Sequence, residues 1–127
     1  MGIQVLIVDD SPTTRIVIER VVRLADPEVD VCHHASNGAE ALKVLEKQWI
    51  DLVFTDIHMS GMDGRELLHR IRESEIWKNI PVAVITSERS DETEVELVEL
   101  GANAYRKKPL TPESLRDLFT TLKDLMP

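Results

Sequence analysis

The feature that most constrains the fold is a regular alternation between short apolar runs and segments with helical spacing. Each apolar run is strand-sized and is followed by a stretch in which apolar residues recur every three or four positions. Right-handed crossovers return successive strands to the same direction, so the pattern predicts a parallel sheet with helices on both faces. We therefore predict a doubly wound α/β fold of five strand–helix pairs, with strands at residues 3–8, 29–33, 51–55, 82–85 and 102–105.

Capping residues mark several of the helix boundaries. Ser11-Pro12 and Thr111-Pro112 each place a capping hydroxyl before a proline that suits the first helical position. Gly101 is a typical C-terminal cap for a helix over residues 91–100. These signals separate the apolar runs into discrete elements without long linkers.

Composition narrows the classes of function. The 127 residues suit one domain, residues 1–127, and the net charge of -8 disfavours nucleic acid, which requires clustered basic residues. The single cysteine, Cys32, cannot form an internal disulfide and suits a reducing cytoplasm. No apolar run is long enough to span a bilayer. We expect a cytoplasmic protein that contacts neither membrane nor nucleic acid directly.

Polar side chains follow four of the five predicted strands, at the edge of the sheet where ligands bind in open α/β folds. Taken singly, each is more simply explained as a helix cap, a turn residue or a surface lysine. Their occurrence together at separate strand ends is what indicates a site. The residues are Asp9 and Asp10 after the first strand, Asp56 after the third, Thr86 and Ser87 after the fourth, and Lys108 after the fifth.

Three carboxylates at one edge would repel each other unless a cation neutralises them, at about 4 kcal/mol per close pair at a protein surface. Carboxylate oxygens favour a hard ion, and a few of them completed by water suit Mg²⁺ better than Ca²⁺. One of these acids can also act as a nucleophile and form an acyl phosphate. Lys108 and the hydroxyl of Thr86 would then contact phosphoryl oxygens.

These motifs resemble those of response-regulator receiver domains of the CheY-like family, and the likeness covers the whole chain. It implies a flavodoxin-like strand order 2-1-3-4-5, and a cis peptide bond between Lys108 and the following proline. The matching stretches are residues 8–11, 35–42, 51–56, 61–64, 84–87, 101–105 and 108–109.

The resemblance also implies roles for particular residues. Asp56 would be the phosphoacceptor, fed by a histidine kinase or a histidine phosphotransfer protein, and the chain would be a signalling switch in a phosphorelay rather than a conventional enzyme. Asp9, Asp10, Asp56 and the backbone carbonyl of His58 would hold Mg²⁺. Thr86 and Lys108 would contact the phosphoryl group, and Tyr105 would be the switch aromatic. A downstream protein would bind the face of helix 4, strand 5 and helix 5.

The sequence departs from the family's usual pattern beside the site. Ser60 stands where proline is common, and Ser87 follows Thr86 where a smaller residue is common. His58 and Glu88 occupy positions that influence dephosphorylation in the family, so we expect both to tune the lifetime of the phosphoryl group.

Five other residues invite a simpler explanation. His33 and His34 are adjacent on a predicted strand and point to opposite faces, so we expect one buried and one exposed ring rather than a metal site. Cys32 is expected to be a small core residue. Trp49 and Trp77 are expected to pack near helix ends.

Three rival functions share parts of this pattern. A flavin-binding electron carrier has the same architecture, but Asp9 and Asp10 would repel the flavin phosphate. A phosphohydrolase with an aspartyl nucleophile usually carries its first two acids one residue apart, whereas here they are adjacent. A module that only binds proteins would not need the acidic site. Whether the chain acts alone or belongs to a longer regulator, and which kinase and output it serves, stays open at this point.

Overall fold

The computed structural model describes residues 2–88 and 90–127. Within these residues, five strands and five helices alternate strictly, and the strands form one parallel sheet in the order β2-β1-β3-β4-β5. The predicted fold class and strand order are confirmed. The elements are β1 (Ile3–Val8), α1 (Pro12–Ala25), β2 (Val29–Ala35), α2 (Gly38–Lys47), β3 (Leu52–Thr55), α3 (Gly64–Glu73), β4 (Val82–Thr86), α4 (Asp91–Glu99), β5 (Ala104–Lys107) and α5 (Pro112–Lys123).

The sheet separates two hydrophobic clusters, because consecutive strand residues face opposite sides. On β1, Leu6 and Val8 point toward the cluster covered by α2, α3 and α4, whereas Val5 and Ile7 point toward α1 and α5. All four side chains are almost completely buried. The absence of polar alternation along this run therefore reflects burial on both faces.

Every helix begins with a side-chain cap. The oxygen of each capping residue accepts a hydrogen bond from the backbone amide three residues later, which satisfies a donor that the helix itself leaves unpaired. The prolines predicted at the first helical position lie there in α1 and α5. The caps are Ser11, Asn37, Asp63, Ser90 and Thr111.

The last strand begins later than predicted. Gly101 has a positive φ of 106°, and the amide of Ala102 still bonds to the carbonyl of Leu97, so both residues complete the end of α4. The strand β5 consequently begins at Ala104 and runs to Lys107. The start of the strand predicted over residues 102–105 was wrong by two residues, because the amide of Ala102 bonds to the helix end instead of to the sheet.

Two predictions about individual side chains were also wrong. The side chain of Trp49 lies beyond the end of α2 and is 66% exposed, with its indole nitrogen donating to Asp51 Oδ1 at 2.8 Å. Neither His33 nor His34 is fully buried or fully exposed, because β2 is an edge strand whose two faces are both only partly covered. Trp77, by contrast, packs against the core as expected.

Within residues 2–88 and 90–127, none of the helices has the length and apolar character needed to cross a bilayer.

Candidate functional site

The acids and the lysine predicted from the strand ends meet at the carboxyl edge of the sheet. Asp9 follows β1 and Asp56 follows β3, and the amide of Asp56 donates to the carbonyl of Val8 at 3.0 Å. Lys108 follows β5, and its amide donates to the carbonyl of Thr86 at 2.7 Å. Sheet hydrogen bonding thus continues to the residues that carry the side chains of interest.

The central contact is a lysine shared by two carboxylates. Lys108 Nζ lies 2.6 Å from Asp9 Oδ2 and 2.9 Å from Asp56 Oδ2. The second oxygen of each acid is held by a backbone amide, Asp9 Oδ1 by Ser11 at 2.9 Å and Asp56 Oδ1 by Ile57 at 2.7 Å. Both carboxylates are therefore oriented before any ligand binds.

The surroundings of this lysine are unusual for an ammonium group. The side chains of Asp9, Asp56 and Lys108 are only 2%, 12% and 20% exposed. Burial by itself lowers the pKa of Lys108, but the hydrogen bonds and charges of Asp9 and Asp56 outweigh it, and the pKa is raised. Two acids nevertheless share one positive charge, so the cluster keeps a surplus of negative charge.

Asp10, the third predicted acid, lies next to this cluster and is exposed. Within residues 2–88 and 90–127, no three His, Cys, Asp or Glu side chains are grouped as a ready metal site, and Lys108 lies between two of the acids. The donor chemistry fits a hard divalent ion, because carboxylate oxygens with uncompensated charge are the ligands such ions prefer.

Close packing fixes the position of Asp56. The helix α3 begins at Gly64, whose amide donates to the carbonyl of Ile57 at 2.8 Å. A Cβ atom at Gly64 would collide with the backbone carbonyl of Asp56. Glycine is needed here because the helix start approaches the backbone beside the acid so closely.

The Lys108-Pro109 peptide bond is cis, as the resemblance implied. The neighbouring Lys107 is exposed, whereas the ammonium of Lys108 turns into the acidic cluster. Of these two adjacent lysines, it is therefore Lys108, the one predicted from the sequence, that contacts the acids.

Thr86 and Tyr105 are linked through Glu88. The side chain of Thr86 is fully buried, and its hydroxyl oxygen accepts a hydrogen bond from the amide of Glu88 at 3.3 Å. The ring of Tyr105 is also buried, 5% exposed, and its hydroxyl donates to the carbonyl of Glu88 at 2.7 Å. The loop after β4 thus contacts both predicted switch residues.

The side chain of Glu88 extends this link to the other side of the site. His58 Nε2 lies 2.9 Å from Glu88 Oε2, and both side chains are 62% exposed. This contact joins the loop after β3 to the loop after β4. The sequence had marked both residues separately but gave no sign that they touch.

Other polar residues near the site were missed by the sequence analysis. Arg15 on α1 donates from Nη1 to the backbone carbonyl of Asp9 at 2.6 Å, and from Nε to His34 Nδ1 at 3.3 Å. The ring of His34 also contacts Glu19 on α1, at 2.6 Å. The spacing of Arg15 and Glu19, four residues apart on one helix, was the available signal.

Cys32 is half-buried against the cluster beneath α1 and α5, consistent with the expected packing role. Burial, with a smaller contribution from Glu19, raises the pKa of its thiol to about 11 despite the opposing effect of Arg23. A thiol with so high a pKa is a poor nucleophile at neutral pH.

Comparison with known proteins agrees with this geometry. The family described as "Response regulator receiver domain" matches residues 5–120 of the chain. The chain therefore belongs to the response regulator receiver family, whose members act as signalling switches.

Individual relatives narrow the likeness to CheY-like proteins. The chain is 37% identical to "Chemotaxis protein CheY-3" of Vibrio cholerae over 116 residues, which cover 91% of this chain and 88% of that protein. It is 34% identical to "Chemotaxis protein CheY" of Pseudomonas aeruginosa over 114 residues, covering 90% of each. The solved structure of CheY4 of Vibrio cholerae superposes with a TM-score of 0.84 at 29% identity, covering 96% of this chain and 99% of that one.

Proposed function

We propose that residues 1–127 form one receiver domain that accepts a phosphoryl group on Asp56, with Mg²⁺, from a histidine kinase or a histidine phosphotransfer protein. The observation that carries this proposal is the position of Lys108, whose ammonium joins Asp9 and Asp56 in a nearly buried cluster. Such a cluster is costly for a purely structural role, because two acids compete for one counter-charge.

The chemistry follows from the orientation of Asp56. Its Oδ1 is tied to the amide of Ile57, which leaves Oδ2, the oxygen that contacts Lys108, as the nucleophile. A bond forms between Oδ2 and phosphorus as the bond from phosphorus to the donor's imidazole nitrogen breaks, and that nitrogen keeps the electron pair. Lys108 then moves its hydrogen bond from Oδ2 to a phosphoryl oxygen, where a fixed cation is most useful.

Asp9, Asp10, Asp56 and the backbone carbonyl of His58 are the residues that would hold Mg²⁺. The ion would neutralise the incoming phosphoryl oxygens beside these acids. Since Asp9 already binds Lys108 and the amide of Ser11, it is oriented for this role. The chain's own acids would otherwise repel a phosphate group.

We further propose that Thr86 and Tyr105 convert phosphorylation into a change of surface. The hydroxyl of Thr86 would donate to a phosphoryl oxygen, and the Glu88 backbone that it contacts would shift with it. Tyr105 also bonds to Glu88, so the position of its ring would respond. The protein target would bind the face formed by α4, β5 and α5, where Val95 and Val98 are each 58% exposed.

Intact mass after incubation with acetyl phosphate tests the proposal. We expect one phosphoryl adduct that requires Mg²⁺ and is absent from Asp56→Asn. Asp117→Asn, which makes the same change at an exposed acid on α5, is the matched control and should be phosphorylated normally. A folded wild-type protein that gains no adduct, and binds no phosphoryl mimic, would show that the domain only binds proteins.

The same mass measurement, followed over time after acetyl phosphate is removed, reads the lifetime of the adduct. We propose that His58 and Glu88 set this lifetime, because their contact spans the two loops that flank Asp56. His58→Ala and Glu88→Ala should each change the decay rate. Unchanged decay in either variant would contradict a role for that residue in setting the lifetime of the adduct.

A further inference from the structure

A chain of polar contacts runs from α1 to the backbone of Asp9, and the function proposed above does not use it. Arg15 Nη1 donates to the carbonyl oxygen of Asp9 at 2.6 Å, and Arg15 Nε donates to His34 Nδ1 at 3.3 Å. His34 Nε2 lies 2.6 Å from Glu19 Oε1. The guanidinium is thus held from one side while it holds Asp9 on the other.

The hydrogen-bond chemistry fixes the state of the histidine. An arginine N–H can only donate, so Nδ1 of His34 must be the acceptor and the ring proton lies on Nε2. That proton is donated to Glu19, which Arg23 also holds through an Nε–Oε2 contact of 3.0 Å. Burial opposes ionisation of Glu19, yet the hydrogen bonds from His34 and Arg23 outweigh it and lower its pKa. Arg15 therefore donates in two directions, to the carbonyl of Asp9 and to His34, which in turn donates to Glu19.

The contact between Arg15 and the carbonyl of Asp9 matters because the peptide bond is planar. A hydrogen bond to the carbonyl of Asp9 fixes the plane of the Asp9–Asp10 peptide, and with it the position of the Asp10 Cα atom. Asp10 is exposed and follows the end of β1, so the sheet itself does not hold it. The direction of the Asp10 side chain therefore depends on the two peptides that flank its Cα. Arg15 holds the Asp9–Asp10 peptide, and the amide of Ser11, which donates to Asp9 Oδ1 at 2.9 Å, holds the next one.

We propose that Arg15 is a positioning residue for the cation site: oriented by His34 and Glu19, it holds the Asp9–Asp10 peptide so that the Asp10 carboxylate is directed toward the cation. This inference rests on the proposed function, because it assumes that Asp9 and Asp10 bind Mg²⁺. Residues that orient metal ligands without touching the metal typically contribute a factor of about 10 to 100 in affinity.

The sign of the effect separates positioning from simple electrostatics. Removing a positive charge beside a cation site reduces repulsion and by itself strengthens Mg²⁺ binding. If Arg15 positions Asp10, its removal weakens Mg²⁺ binding instead. A role limited to bracing α1 against the sheet would lower the free energy of unfolding without lowering the affinity of the folded protein for Mg²⁺.

The experiment measures Mg²⁺ affinity by titration calorimetry, with the free energy of unfolding determined in parallel in the absence of Mg²⁺. We expect Arg15→Met to weaken binding by roughly 10-fold or more. His34→Leu, which removes the acceptor that orients the guanidinium, should weaken it less. Arg15→Lys keeps a donor of similar reach and should lie between wild type and Arg15→Met, and it also serves if Arg15→Met does not fold.

Arg20→Met is the matched control, because Arg20 lies on the same helix and makes the same change at an exposed position outside the contacts that orient Arg15. We therefore expect its Mg²⁺ affinity to be close to that of wild type. Equal affinity in Arg15→Met and wild type, or an equal loss in Arg20→Met, would overturn the inference. A wild-type protein that binds no Mg²⁺ would instead contradict the proposed function.

Discussion

The two ends of the sheet each contain a long cationic side chain that ties several loops together, but the two cations differ in what they contact. At the carboxyl end, Lys108 contacts the carboxylates of Asp9 and Asp56. At the amino end, Arg72 in the last turn of α3 reaches the segments that precede β4 and β5. Its five hydrogen bonds go to the carbonyl oxygens of Lys78, Ile80 and Gly101, the last one twice, and to Asn103 Oδ1.

The pKa values of the two cations move in opposite directions. Burial lowers the pKa of Arg72, and its acceptors are neutral. Burial also lowers that of Lys108, but Asp9 and Asp56 outweigh it and the pKa is raised. All the N–H donors of Arg72 are matched to neutral oxygens, so nothing remains for a ligand to complete. At Lys108, two negative charges face one positive charge, and a cation and a phosphoryl group can change how they are shared. A long cationic side chain thus has a structural role at the amino end of the sheet, whereas at the carboxyl end it belongs to a reactive site.

The largest expected difference between the two ends lies in phosphorylation. Lys108→Ala should lower the initial rate of Asp56 phosphorylation by roughly 100- to 1000-fold, as when a single fixed charge stabiliser is removed from a reacting centre. Arg72→Lys should leave the rate of the folded protein unchanged. The measurement is the growth of the phosphoryl adduct by intact mass. A comparable loss in both variants would mean that the two ends are not functionally distinct.

A smaller difference is expected in stability, where a substitution at Arg72 at the amino end should have a large effect. Arg72→Lys keeps the charge but replaces a planar group that has five donors with one ammonium, which leaves some of the part-buried carbonyl oxygens unpaired. We expect the free energy of unfolding to fall by about 2 kcal/mol. Arg70→Lys is the matched control on the same helix, since the side chain of Arg70 is exposed and its contact with Glu66 is long, at 3.7 Å. Chemical denaturation that shows equal effects of the two substitutions would contradict a structural role for Arg72.

The contrast between the contacts of Lys108 and those of Arg72 also explains which residues could be predicted from the sequence. Asp9, Asp56 and Lys108 were predictable, because each lies just beyond a predicted strand and parallel strands bring their carboxyl ends together. Arg72 was not, because most of its partners are backbone carbonyls, and a backbone carbonyl has no signature in a sequence. The contact between Arg15 and His34 was missed for a related reason, since it joins α1 to β2.

Boundaries were harder to predict than elements. The apolar residue Ala102 was assigned to β5, although its amide completes the cap of α4. His33 and His34 were expected to differ in burial, but an edge strand covers neither face fully. A local hydrogen bond at the end of α4 decided the first outcome, and the position of β2 at the edge of the sheet decided the second.

The smallest expected effect is a difference in how the stability contributions of Lys108 and Arg72 depend on pH. The pKa of Lys108 in the folded protein is raised above its ordinary value of 10.5, so the stabilisation from its ion pairs is fully present below that value and is lost as pH rises through the raised pKa. The difference in free energy of unfolding between wild type and Lys108→Met should therefore stay constant from neutral pH to about 9.5 and shrink only at higher pH. The corresponding difference for Arg72→Met should not shrink with it, because a guanidinium keeps its charge throughout this range and methionine does not titrate. Denaturation curves across the series test this. A Lys108 contribution that already declines near neutral pH would show that Asp9 and Asp56 do not hold its ammonium in the charged form.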